Sequence, residues 1–437
     1  MRPMSRRPIL AGLVGLSTSM GGATLAAAAQ QDGPAALLAE GADGVLNAGL
    51  IARHGDGRLA RAQVAGPRRP GRDAPPFGLD DPFRVASVSK MVATVAFMQA
   101  VEAGQVGLDD DVSRALGFRL RHPANPDQPI SWRAVLSHTS GLRNGPSYPV
   151  PAGGRLVDVF TPGTARFDGG AWFAPTEQAR PGFFAYADVN FCLMAQALER
   201  ITGRRFDRIL HDQVLAPLGL DAGYNWSGVS QAKRDRVAPA CRWRNGGWAI
   251  ETDAEVPPAP RVFYTQPKDG PVLAEEDLHL GENGFLFAPQ GGLRLSLTDM
   301  DRLAAFFRRG GEGIVRRESL ERMETPAWVY DAKARNGETG EGGRDDGIFA
   351  GYGLATSCPQ HTDRAGDAFF GSDSPDWRGH LGDAYGWLTG LFWNRKDGRT
   401  LVWAINGVRE TERPVGRRSA LSLAEERIID LGLAALA

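Results

Sequence analysis

The sequence is poor in several features that mark large protein classes. It has three cysteines in 437 residues, Cys192, Cys241 and Cys358, too few for a disulfide scaffold. A bridge between two of them would leave the third thiol free. Neither charge is in excess: 50 Lys and Arg face 51 Asp and Glu, for a formal charge of -1. That balance excludes a chain built to coat nucleic acid or an anionic lipid surface. Beyond the N-terminal segment there is no apolar run long enough to span a bilayer, so no stable membrane insertion is expected. No glycine-rich phosphate loop precedes a helix, no repeat of fixed period recurs, and His54, His122, His211, His279 and His361 show no metal-ligand spacing. The reading is of a chain with no cofactor, no metal and no nucleic-acid partner, and without a signal for oligomeric state. What it does have is 42% hydrophobic residues, 55 Gly and 29 Pro, the composition of a folded, loop-rich, enzyme-sized chain.

Arg2, Arg6 and Arg7 form a basic start, Ile9 to Leu25 is mildly apolar, and Ala26 to Ala29 are small. This is the layout of a signal peptide over residues 1–29, cleaved after Ala29. Ser5-Arg6-Arg7-Pro8-Ile9-Leu10 resembles a twin-arginine export signal. A periplasmic or secreted protein is therefore expected.

Length alone allows about three domains at roughly 150 residues each, but the element pattern argues for one. Two apolar runs around His54-Gly55-Asp56-Gly57 predict a β-hairpin over 44–65. Val88, Met91, Val92, Val95, Met98 and Val101 recur at helical spacing, and predict a helix from Ser87 to Ala103. Helices are also predicted over Asp188–Ile201, Leu297–Phe307 (capped by Ser296 or Thr298) and Ser419–Leu436. Strands are predicted over Phe349–Ser357, Tyr385–Trp393 and Thr400–Gly407. Strands at both ends and helices between them predict one antiparallel sheet flanked by helices, built from about 40–85 and 345–437, with an all-helical insert at about 105–335. Residues 143–182 and 242–285 read as long irregular loops, expected to shape a substrate cleft.

Ser87-Val88-Ser89-Lys90 opens the first helix. Residues three apart share a helical face, so Lys90 stands one turn behind the Ser87 hydroxyl. A desolvated lysine can take that hydroxyl's proton, and the helix N-terminus offers N–H groups where an oxyanion would form. Ser230-Gln231-Ala232-Lys233 has the same spacing, but Arg234-Asp235-Arg236 follow, and it reads as a surface or cap segment. Tyr186-Ala187-Asp188 precedes a helix, and a phenol there could share a proton with a lysine. His380-Leu381-Gly382-Asp383 combines a small residue that lets backbone approach a substrate with an N–H to offer it. No Gly-x-Ser-x-Gly elbow accompanies His138, which reads as structural rather than as a triad base.

Ser-x-x-Lys, then Tyr-x-Asp, then His-x-Gly resembles the serine β-lactamase/penicillin-recognising superfamily, in its class C β-lactamase-like branch of esterases and D-Ala-D-Ala carboxypeptidases. The stretch Ile130-Ser131-Trp132-Arg133-Ala134-Val135-Leu136-Ser137-His138-Thr139-Ser140-Gly141-Leu142 is also similar to that branch. So are Pro181-Gly182, Leu215-Ala216-Pro217-Leu218-Gly219-Leu220 and Gly291-Gly292-Leu293. The resemblance spans roughly residues 38–437 and implies a β-lactamase/transpeptidase-like α/β (α+β) fold. It implies Ser87 as acylated nucleophile, Lys90 and Tyr186 as shared base, and an oxyanion hole of the Ser87 and Asp383 backbone N–H groups. Asp188, His380, Gly382 and Asp383 would face the substrate: a small-molecule ester, an amide or a D-amino-acid peptide. Two departures matter. His380 stands where β-lactamases of the branch carry Lys, and a neutral imidazole anchors a carboxylate less well; Arg378 is a nearby substitute. Asp188 stands where the family has Asn, and would favour the charged form of Lys90, leaving more of the base role to Tyr186. The expectation is an exported serine hydrolase of esters or amides. The alternatives are a class C β-lactamase or D-Ala-D-Ala carboxypeptidase, and a non-catalytic penicillin-binding-type protein.

Overall fold

The computed structural model describes residues 33–38, 45–251, 278–343, 345–360, 366–409 and 413–437. The segment read as an export signal, His361 and most of the 242–285 stretch lie outside them. The main sheet has five antiparallel strands: β1 (Asn47–Arg53), β2 (Leu59–Ala65), β3 (Trp377–Ala384), β4 (Trp387–Asn394) and β5 (Thr400–Asn406). Their order is β3-β4-β5-β1-β2, so the two ends of the sequence meet where Leu50 pairs with Trp403. Four long helices accompany the sheet: α1 (Ser89–Glu102), α2 (Val189–Thr202), α3 (Leu297–Arg308) and α4 (Leu423–Leu436).

Strand alternation divides the sheet between two cores. Ile51, Leu391, Trp393, Val402 and Ala404 face Met300, Leu303 and Phe307 of α3. Ala48, Leu50, Ala52, Leu401, Trp403 and Ile405 face Ile428 and Ile429 of α4. Phe307 stacks on Trp393 at 4.6 Å between ring centroids. Each such side chain contributes about 1.5–3 kcal/mol when fully buried. Both sheet-covering helices begin at capping boxes, Ser296 with Asp299 and Ser422 with Glu425, which satisfy N–H groups left over at a helix start.

α1 is buried almost all round, which suits its Met, Val, Ala and Phe content. A second, small sheet joins Phe83–Arg84 to Leu293–Leu295 and Leu293–Leu295 to Gly223–Tyr224. It ties the chain just before Ser87 to the chain just after Gln290.

Several sequence expectations need correction. The His380 motif lies on a strand of its own, β3, at the sheet edge, which the strands predicted above do not include. Tyr385 is a turn residue with φ 55°, so β4 starts at Trp387. The Phe349–Ser357 strand shrinks to Gly351–Tyr352, paired with Trp328–Val329, because the chain bends at Leu354 and Ala355 (φ 54°). α4 starts at Leu423, since Glu425 closes its cap on Ser422. The expected all-helical insert also carries the hairpin Cys241–Arg244/Gly247–Ile250 and the small sheet. Ser230 caps a short helix, but Lys233 is not on the surface. It is buried and ion-paired with Asp299, the carboxylate that closes the α3 cap.

Candidate active site

Ser87 sits in a 3-10 turn (Ala86–Val88) that runs directly into α1. Ala86 holds a left-handed φ of 47°, costly for a residue with a Cβ, and three contacts hold the turn in place. The Thr389 hydroxyl of β4 donates to the Val85 carbonyl at 2.9 Å. The Val85 N–H donates to the Leu293 carbonyl at 3.1 Å. Ser89 turns inward, donating to the Ala86 carbonyl at 2.6 Å and accepting from the Leu293 N–H at 3.1 Å. Ser89 is therefore a brace for the turn, and Ser87 faces the cleft.

Lys90 is fully buried one turn behind Ser87, with its Nζ 2.8 Å from three acceptors. They are Ser87 Oγ, the Gln290 carbonyl and Asp188 Oδ1. Three acceptors match the three N–H bonds of an ammonium. The ammonium also lies 4.8 Å from the centroid of the Tyr186 ring, and Tyr186 lines the same cleft as Ser87. Tyr186 stacks on Phe349 at 5.0 Å. Burial, then the charges of Asp188 and Glu341, push the Tyr186 phenol well above its usual range. The phenol is thus held neutral at rest.

His138 positions Tyr186. Its Nδ1 accepts the Ala187 N–H at 3.0 Å and its carbonyl accepts the Ala185 N–H at 2.9 Å, bracketing Tyr186 on both sides. The His138 ring lies 4.3 Å from the Tyr186 ring. Burial first, then Lys90 and His380, hold it neutral. The structural reading of His138 fits this geometry.

β3 forms the other wall. Gly379 exchanges backbone hydrogen bonds with Ser357 across the free edge of β3, at 2.7 and 3.3 Å. Backbone groups alternate along a strand, so the Asp383 N–H, four residues on, points off that same edge. The Asp383 carboxylate instead pairs with Arg413 at 2.6 Å. Gly382 lies against the Ser87 turn; a Cβ there would stand 2.4 Å from the Val85 carbonyl oxygen. His380 lines the cleft, but both ring nitrogens are engaged, Nε2 with the Tyr352 hydroxyl at 2.8 Å and Nδ1 with the Leu381 carbonyl. Burial and the nearby Lys90 lower its pKa to about 3. Arg378 is no substitute anchor: its guanidinium is turned onto the carbonyls of Glu324, Pro375 and Trp377.

Ser87, Tyr186, His380, Gly382 and Asp383 thus line one cleft of about 410 Å³, with Lys90 sealed beneath it. Its outer walls come from Glu341, Asp346, Ile348 and Phe349, and from Arg413 to Val415, Ala420 to Ser422 and Glu425. The 143–182 loop does not line it, contrary to expectation, but it sends Tyr148 underneath. Tyr148 Oη donates to Asp188 Oδ2 at 3.0 Å and accepts from Gln290 Nε2 at 2.9 Å. Tyr148, Gln290, Thr389 and Tyr352 are the site residues that sequence reasoning did not single out. Only Gln290 had a signal, its position beside Gly291-Gly292-Leu293. Among the described residues no three His, Cys, Asp or Glu side chains converge as a metal site, and no helix is long and apolar enough to cross a membrane.

Known proteins share this plan. The chain is 30% identical over 195 residues to monacolin J acid methylbutanoyltransferase of Aspergillus terreus, covering 39% of this chain and 45% of that protein. It is 28% identical over 198 residues to the D-alanyl-D-alanine-carboxypeptidase/endopeptidase AmpH of Escherichia coli, covering 45% and 49%. The chain therefore spans about half the length of these curated relatives. Among solved structures it is similar in fold to EstCE1, a hydrolase with promiscuous acyltransferase activity. There the TM-score is 0.62, the identity 21%, and the coverage 95% of this chain and 100% of that one. The family model for beta-lactamase matches residues 34–425, nearly the whole described chain, and the chain belongs to that family.

Proposed function

We propose that this chain is an exported serine hydrolase that cleaves an ester or an amide through an acyl-enzyme on Ser87. The observation that carries the reading is the contact between a sealed lysine and a cleft-facing hydroxyl, Lys90 Nζ to Ser87 Oγ at 2.8 Å. A serine hydroxyl is a weak nucleophile until a neighbouring group accepts its proton, and this contact supplies the path. Lys90 and Tyr186 move protons between Ser87 and the leaving group. The N–H groups of Ser87 and Asp383 receive the carbonyl oxygen as it becomes an oxyanion.

Esters and uncharged amides are favoured over β-lactams. A β-lactam brings a carboxylate, and neither residue expected to anchor it is placed to do so. His380 is neutral and doubly bonded, and Arg378 faces away. That the relatives named above include an acyltransferase and a carboxypeptidase supports acyl-enzyme chemistry without fixing the acceptor.

Labelling with a fluorophosphonate followed by peptide mapping tests the assignment. The adduct is expected on Ser87 and absent from Ser87→Ala. Labelling elsewhere, or unchanged labelling of the variant, removes Ser87 as nucleophile. p-Nitrophenyl butyrate is expected to turn over faster than nitrocefin; the reverse order would overturn the substrate ranking. N-terminal sequencing of the exported protein is expected to begin at Gln30.

A further inference from the structure

We infer that Lys90 and Asp188 work as one proton-holding unit, a serine–lysine–aspartate relay in which Asp188 takes the proton and Tyr148 is its positioning residue. This rests on the reading of Ser87 as nucleophile. Lys90 at rest uses all three ammonium hydrogens, on Ser87 Oγ, the Gln290 carbonyl and Asp188 Oδ1, each at 2.8 Å. An ammonium so placed cannot accept the Ser87 proton unless it gives one up, and Asp188 is the only anionic acceptor among those three. The other carboxylate oxygen is held at 3.0 Å by the Tyr148 hydroxyl, which Gln290 Nε2 holds in turn at 2.9 Å. Gln290 therefore sets the position of both members of the pair.

The groups facing the pair from neighbouring elements are Tyr186, His138, His380, Cys192, Tyr352 and, from the cleft wall, Glu341. Burial holds both histidines in their neutral form, and holds the two phenols and the thiol in theirs. Neutral at rest, none of these five replaces Asp188 as an anionic acceptor for the Lys90 proton.

In the acylation step, Ser87 Oγ bonds to the substrate carbonyl carbon and loses its hydrogen to Lys90, while Lys90 passes one hydrogen to Asp188. The carbonyl π pair moves to oxygen. When the carbonyl re-forms, the bond to the leaving group breaks, and the proton on Asp188 returns through Lys90 to the departing atom. Water repeats the cycle on the acyl-enzyme.

The decisive experiment follows the second-order rate of Ser87 labelling by a fluorophosphonate, and kcat and KM for p-nitrophenyl butyrate, from pH 5 to 10. Asp188→Asn restores the family's amide but removes the acceptor. Its expected effect is a fall of about 100-fold in kcat at pH 7 with KM little changed, and an optimum moved to alkaline pH. Tyr148→Phe keeps every buried charge and serves if the first variant folds poorly; it is expected to lower kcat severalfold and to shift the acid limb of the profile upward. Wild-type-like rates in Asp188→Asn, or lowered rates in both variants with the wild-type pH profile, would overturn the relay. Failure of the wild-type protein to label at Ser87 would instead overturn the nucleophile assignment.

Discussion

The Cβ that Gly382 lacks would stand 2.4 Å from the carbonyl oxygen of Val85 and 2.3 Å from the Thr389 hydroxyl. The sheet edge and the nucleophile turn touch at a place where only a hydrogen fits. That closeness puts the Asp383 N–H and the Ser87 N–H at one end of the same cleft. Gly382→Ala should push β3 off the turn, costing about 1–3 kcal/mol of stability. A fall in kcat greater than the fall in folded fraction, measured by denaturant titration beside steady-state kinetics, is the expected pattern.

Thr389→Val should act on the same contact more gently. It removes the 2.9 Å bond to the Val85 carbonyl without removing bulk. The buried carbonyl then keeps only the Val88 N–H at 3.3 Å, and the lost bond should cost about 0.5–1.5 kcal/mol. Since Ala86 is strained, loosening the turn should lower kcat with little change in KM. Equal kinetics in the two proteins would show that the Leu293 and Ser89 bonds suffice to hold the turn.

His138 and His380 predict acid sensitivity of the fold. Both are buried with pKa values lowered from 6.5, His380 to about 3. The unfolded chain binds these protons between pH 6.5 and the lower native values, and the folded chain does not. Their contribution is thus fully present above pH 6.5 and is lost as pH falls toward the native values. His380 should cost ~2 kcal/mol of stability by pH 5, and His138 adds a loss of the same sign. Urea unfolding at pH 5, 6 and 7 should show the slope, and His380→Gln should remove about one proton from it.

His138→Ala should do more than open a cavity among Phe184, Tyr186, Phe191 and Tyr352. It removes the acceptor of the Ala187 N–H and frees the segment that carries Tyr186. A stability loss of roughly 2–4 kcal/mol is expected, with a fall in kcat that persists when the protein is measured fully folded at low temperature. Full activity of the folded variant would reduce His138 to packing alone.

Much of the fold was readable where one periodicity dominated. α1, α2, α3, β1, β2 and β5 fall within a few residues of their predicted places, because apolar spacing marks them and, for α3, the Ser296 cap agrees with it. β3 escaped notice because Trp-Arg-Gly-His-Leu-Gly-Asp-Ala breaks the alternation of a strand with two glycines and three ionisable side chains. It stays a strand because β4 pairs with all eight of its residues. The glycines that hide it are the ones the site needs for close approach. The grouping of Ser87, Lys90, Tyr186 and Asp188 was legible from spacing and family likeness. Tyr148 was not, since it lies forty residues before Asp188 in a loop rich in glycine and proline, and no local pattern reports a contact made through tertiary folding. Lys233 misled for the opposite reason: its charged neighbours advertise a surface, while its partner Asp299 lies sixty-six residues away.

The three cysteines have a practical consequence. All are free and buried, and burial pushes the Cys241 and Cys358 thiols up to about 12 and the Cys192 thiol well above its usual range. Thiols held in that form are poor nucleophiles. The fold therefore demands nothing of the redox state around it. It should assemble equally well under reducing and oxidising conditions, and a recombinant host with a reducing interior is a suitable source of the protein for the kinetic, labelling and unfolding experiments above.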